Sequence, residues 1–224
     1  MKYLPLYLIF ILCSCKNSPV KDKTHSPAGD IQSVNIELAD SLGHLSLNLP
    51  SRYDTSFTWT DHSDCGKPCD KIKYRYQPRI AKVSKETGWI QLWELTDSIE
   101  WFTVSHSGHF PFHDELDSNF ITSYHKKKRE SLIRDPAIHL IKSDWVEKIA
   151  DRYFSIFIID LSDSLKISKK VLAGSSIHGN VIEFNFDLIS KKIDIAQKDF
   201  PEMSLFYLRS IKFDEPHNRS YKEL

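Results

Sequence analysis

The chain reads as an α+β protein: a curved antiparallel sheet of about seven to ten strands, with one mid-chain helix and one C-terminal helix packed on it. Three observations predict this. Apolar residues recur at every second position in separate segments from Val34 to Phe186, the period of a half-buried strand. Two stretches, Phe120 to Arg134 and Ile193 to Phe213, change to a spacing of three and four, the period of a helix face. Hydrophobic residues make up 41 % and aromatics 12 % of 224 residues, enough for a packed core in one sizeable domain, which excludes wholesale disorder.

The first element is an address. Met1 to Cys15, MKYLPLYLIFILCSC, sets Lys2 before an apolar run from Leu4 to Leu12 and closes on Leu12-Cys13-Ser14-Cys15. A helix needs roughly 20 apolar residues to cross about 30 Å of hydrocarbon. The run is far shorter than that, so it reads as an export signal. The closing tetrapeptide resembles the lipobox of bacterial lipoproteins. That resemblance implies that residues 1–14 are removed, that Cys15 carries diacylglycerol on its sulfur, and that its freed amino group is acylated. Each buried methylene contributes about 0.8 kcal/mol and one chain binds only marginally, so two or three chains make the anchor lasting.

Residues 15–30 then form the lipidated cysteine and a tether, KNSPVKDKTHSPAGD after Cys15, polar and broken by two prolines. About 15 flexible residues span roughly 20 Å. Surface-exposed lipoproteins of some Gram-negative groups resemble one another in an acidic cluster after the cysteine; Lys16-Asn17-Ser18 lacks it. The expected location is therefore the cell envelope, lipid-anchored in the outer membrane and facing the periplasm.

A single domain is expected over 31–213. Val34, Ile36 and Leu38, then Leu45, Leu47 and Leu49, alternate with polar residues around Leu42-Gly43-His44 and predict a hairpin. Pro50 ends its second strand, since proline cannot donate to a ladder. Thr55 to Thr60 and the alternating Ile72, Tyr74 and Tyr76 predict two more strands. Gly88 to His106 predicts a strand pair, GWIQLWEL and EWFTVSH, around Thr96-Asp97-Ser98.

Asp117-Ser118-Asn119 offers caps for the first helix. Strands follow over Ile138 to Lys142, Tyr153 to Asp160 and Ile167 to Leu172, and His178-Gly179-Asn180 marks a hairpin turn ahead of Val181 to Phe186. Ala196, Phe200, Met203 and Tyr207 predict the C-terminal helix, with Pro201 in its first turn. Residues 214–224 read as a frayed tail. The order of elements at the ends of the domain is similar to the PsbP-like α/β/α sandwich: a strand ending at Leu49-Pro50, and a terminal hairpin followed by a helix ending Arg209-Ser210-Ile211-Lys212-Phe213. That resemblance implies no functional residue.

Charge excludes one class of partner. Thirty basic and thirty acidic side chains balance, which gives no footprint for nucleic acid. The run Lys126-Lys127-Lys128-Arg129 reads as a solvated helix face. Of four cysteines, Cys13 leaves with the signal and Cys15 is lipidated, so Cys65 and Cys69 remain as a pair expected to be bridged in an oxidising compartment. Three intervening residues separate them, not the two of thioredoxin-like sites, and no helical pattern follows.

Three weaker candidates carry chemistry. His106, His109 and His113 form the densest set of imidazoles and could ligate zinc, but a loop with glycine and proline gives their rings nothing that makes them converge. Trp89, Trp93 and Trp101 could stack on a sugar or anchor a partner. Gly174 and Gly179 have Walker-like spacing without the lysine that follows it. No nucleophile elbow or dinucleotide fingerprint occurs, and no cofactor is expected. The sequence is therefore expected to encode a lipid-anchored, non-enzymatic envelope protein that binds or supports another envelope component. The alternative is a periplasmic metal- or thiol-dependent enzyme using His106, His109 and His113 or Cys65 and Cys69.

Overall fold

The computed structural model describes residues 30–66, 69–79, 82–91, 98–107, 118–135, 140–164, 166–177, 179–190 and 198–214. Cys15, Trp93, His109 and His113 lie outside these residues, as do 1–29 and 215–224.

Ten strands and two helices are described: β1 Ile31–Leu38, β2 Gly43–Pro50, β3 Thr55–Asp61, β4 Lys71–Gln77, β5 Ile99–Ser107, α1 Ser118–Arg134, β6 Leu140–Ile149, β7 Arg152–Asp160, β8 Ile167–Ile177, β9 Asn180–Ser190, α2 Phe200–Arg209 and β10 Lys212–Asp214. The expected α+β class is what they form. The single sheet of the sequence reading is instead two, a three-stranded sheet ordered β1-β2-β10 and a seven-stranded sheet ordered β3-β4-β5-β9-β8-β7-β6. Every pairing is antiparallel.

Side chains alternate across a strand, so the register sorts the seven-stranded sheet into two faces. Phe102, Val104, Ile182, Phe184, Phe186, Val171, Ala173, Phe154 and Ile156 share the inner face and are buried with Ile36, Leu45, Leu47 and Leu49 of the small sheet. Helix α2 lies on this side too, with Tyr207 stacked near Phe186 at 6.4 Å between ring centres. Helix α1 covers part of the outer face, where Leu132 packs with Phe157, Ile159 and Leu172.

Several boundaries differ from the sequence reading for physical reasons. Strand β6 runs to Ile149 because it lies at a sheet edge, where Ser143, Asp144 and Glu147 can stay wet. A bulge between Ile141 and Ser143 also breaks the alternation that would have signalled it. Of the strand expected over 88–95, residues 92–95 lie outside the described residues, and within 88–91 Ile90 makes a single bridge to Val83 in place of a ladder. The C-terminal helix stops at Arg209, and Lys212–Asp214 is a strand paired with Ser46, Leu45 and His44 of β2, so Phe213 belongs to a sheet.

Candidate functional site

The outer face of the seven-stranded sheet is apolar at both ends and charged in the middle. Residues 82–91 cover one end, where Ile90 packs with Ile99 and Trp101, and α1 covers the other. Between them the register aligns Trp59, Lys73, Ser105, Glu183 and Gly174 in one cross-strand row, and Phe57, Arg75, Thr103, Asn185 and Leu172 in the next.

Glu183 ties this middle to α1. Its Oε1 accepts from Lys128 Nζ at 2.7 Å and Tyr124 OH at 3.0 Å, and its Oε2 from Lys71 Nζ at 3.0 Å. Burial opposes ionisation, yet the charges of Lys128 and Lys71 and the hydrogen bonds they donate pull the carboxyl down to about 2. Burial and the adjacent carboxylate push the Tyr124 phenol up. The Tyr124 ring occupies the space above Gly174, where an added Cβ would come within 2.7 Å of Cε1; only glycine admits that close approach.

Arg75 is the second focus. Its guanidinium carbon lies 5.0 Å from the centre of the Trp59 ring, 5.3 Å from Trp101 and 6.0 Å from Phe57, three cation–π contacts of the kind that hold a desolvated cation. Nε donates to Thr103 Oγ1 at 3.3 Å, and Nη1 donates to the carbonyl of Gly88. Gly88, at φ +66°, presses so closely on Trp59 that a Cβ there would run into the indole. Burial pushes the Arg75 guanidinium down to about 10, against the more distant charges of Asp187 and Asp61.

A third grouping has the composition of a hydrolytic triad. His125 Nδ1 lies 2.9 Å from Ser155 Oγ, and Nε2 lies 3.4 Å from Asp144 Oδ2, with the imidazole stacked on Phe157 at 4.6 Å. Ser155 is 0 % exposed, so its hydroxyl has no approach for a substrate. Asp144 also accepts from Arg129 at 2.8 Å. The group is a hydrogen-bonded seam between α1, β6 and β7.

The residues singled out from the sequence fall in different places. His106 is buried on the inner face. The carbonyl of Ser107, 2.8 Å from Nδ1, can only accept, so Nδ1 carries the proton and Nε2 accepts from Tyr74 OH at 3.2 Å. Tyr74 in turn accepts from the backbone N–H of Ala39 at 2.7 Å. Desolvation lowers the His106 pKa, with Ser107 and Asp40 opposing. Cys65 and Cys69 are bridged, their Cα atoms 5.8 Å apart, within the range a disulfide spans. Trp101 is core and backs Arg75. Trp89 is 57 % exposed.

A cleft of about 580 Å³ opens between the two sheets, lined by Glu37, Asp40, His44 and Asp214 over Ile72 and Tyr74. Among the described residues no three His, Cys, Asp or Glu side chains gather closely enough to hold a metal ion, and no helix is long and apolar enough to cross a membrane.

Arg75, Ser105, Glu183 and Asn185 were missed in the sequence. Their signal was the polar half of two alternating strands, Lys71-Ile72-Lys73-Tyr74-Arg75 and Glu183-Phe184-Asn185-Phe186-Asp187. Which strands those polar faces would meet was not written in either segment.

Fold and outer face together define the class: an α+β body of two antiparallel sheets with a polar, aromatic-walled patch between two apolar caps. No family model matches the chain, and no curated protein matches it.

Proposed function

We propose that this is a lipid-anchored cell-envelope protein of the binding or accessory type, held by acylated Cys15 on the periplasmic side of the outer membrane. The observation that carries the reading is the run from Lys2 to Cys15, a short apolar core closing on a lipobox-like tetrapeptide. Two features of the structure support it. Strand β1 lies at the edge of its sheet and begins at Ile31, 44 % exposed, so a tether can join it without threading the core. The Cys65–Cys69 bridge suits an oxidising compartment.

Mass spectrometry of the mature N-terminus is the test. The expected result is a chain beginning at a di- or triacylated Cys15, with Cys15→Ser releasing the protein from the membrane fraction. A mature chain with unmodified Cys15, or one starting elsewhere, ends the reading. Crosslinking in intact cells then identifies the envelope partner.

The enzymatic alternative draws less support, because His106 has both ring nitrogens engaged and Cys65 and Cys69 are joined. Stoichiometric zinc lost in His109→Ala, or disulfide reductase activity lost in Cys65→Ser, would reverse that preference.

A further inference from the structure

We propose that the polar middle of the outer sheet face is a subsite for a small oxyanion, a carboxylate or phosphate group carried by the ligand, received by the edge of Arg75 with Ser105 and Asn185 beside it. This deepens the binding reading above and is independent of the anchor, so the two succeed or fail separately.

A guanidinium is a planar fork with five N–H donors. Trp59, Trp101 and Phe57 are packed around this one. Thr103 takes Nε and the Gly88 carbonyl takes one Nη1 hydrogen, which leaves Nη2 and its outer edge.

Among the described residues no carboxylate pairs with Arg75, because the acids of this face already have lysine partners. Asp61 is held by Lys73, Glu183 by Lys71 and Lys128, and Asp187 by Lys170. A cation taken out of water without a counter-charge is costly. Around Arg75 the described residues set five cations, Arg75, Lys73, Lys71, Lys128 and Lys170, against the three carboxylates Asp61, Glu183 and Asp187, and an incoming oxyanion relieves the imbalance.

The neighbours of Arg75 have the matching chemistry. Asn185 stands opposite Thr103, which stands opposite Arg75, and Ser105 stands opposite Lys73, on strands about 4.8 Å apart. Ser105 is 3 % exposed as a residue, but its oxygen is not among the fully buried unpartnered polar atoms of the described residues, so the hydroxyl reaches the surface of the patch, with the Asn185 amide beside it. Guanidinium, hydroxyl and amide within one patch are the groups that bind carboxylate and phosphate oxygens. Lys73, paired with Asp61 and lying over the Trp59 ring, adds positive charge beside them.

Three matched sugars decide the question: glucose, glucuronate and glucose 6-phosphate, titrated calorimetrically into the purified mature protein in detergent. The expected result is saturable binding of at least one charged sugar in the roughly micromolar to millimolar range, weakened by salt, with none for glucose. The sugar that binds identifies the oxyanion.

Arg75→Gln should weaken binding about tenfold or more, and Ser105→Ala about threefold to tenfold. Ser105→Ala leaves the aromatic walls and Arg75 in place, so it holds the test open even if Arg75→Gln does not fold. Failure of both charged sugars to saturate, equal binding of glucose, or wild-type affinity in Ser105→Ala would overturn the proposal.

Discussion

The two faces of the seven-stranded sheet solve burial differently. The inner face excludes water with Phe102, Phe154, Phe184 and Phe186, all at most 1 % exposed, and its buried His106 is tied off in a chain of hydrogen bonds. The outer face is dry only at its ends. Its middle retains charge, and among the described residues that charge meets an opposite charge at Asp61, Glu183 and Asp187 but not at Arg75. The inner face therefore sets stability through volume, whereas the outer face sets it through electrostatics that pH and salt can reach.

That contrast is broken most severely by a cavity on the inner face. Phe154→Ala, fully buried against Phe184 and Phe213, should cost about 3–5 kcal/mol, measured by urea unfolding. A smaller loss would mean that the two sheets close over the gap.

The outer face is probed next by acid. Glu183 has its folded pKa depressed to about 2 from 4.5. Its stabilisation is therefore complete above about 4.5 and lost as pH falls toward 2. It amounts to about 2–3 kcal/mol after discounting the half-exposed Lys71. Glu183→Gln should flatten that part of the stability profile, and an unchanged profile would remove Glu183 from its place as the tie to α1. The inner face answers at higher pH. Since burial lowers the His106 pKa, the unfolded chain takes up a proton that the folded chain refuses, and stability falls as pH drops below about 6.5. His106→Gln should lessen that decline.

Smaller effects lie away from both faces. Opening the five-residue ring in Cys65→Ser/Cys69→Ser should cost about 2 kcal/mol by loop entropy, read as the difference between wild type with and without reductant. Arg209 holds Glu147 through two bonds of 2.8 and 3.0 Å, but its side chain is half exposed, so Arg209→Ala should cost under about 1 kcal/mol. A larger loss would show that the bridge positions α2.

Local pattern was legible in the sequence and long-range pairing was not. The β1–β2 and β8–β9 hairpins stood out because alternation and turn residues lie next to one another, and α1 because Tyr124, Lys128 and Leu132 keep helical spacing. The division into two sheets depends on β10 reaching β2 and on β5 lying beside β9, facts of register between distant segments. Strand β6 was cut short because an edge strand need not alternate.

The candidate site suffered in the same way. Trp101 looked like a ligand platform, since a strand face cannot be told from its own sequence to be roofed or open. Arg75 looked ordinary, because its lack of a carboxylate partner emerges only once Lys73, Lys71, Lys128 and Lys170 have taken the acids.

One pairing bears on how the molecule is assembled. Strand β2 has β1 on one side and β10 on the other, and the Asn48 N–H that meets Ser210 Oγ bridges 162 positions. A two-stranded hairpin alone is marginal in water, and closing so long a loop delays non-local pairing. The β1–β2 segment thus waits for residues made some 160 positions later. On the proposed reading, in which the chain crosses a membrane as an open thread, this delay keeps the β1–β2 hairpin without a stable partner until most of the domain has crossed.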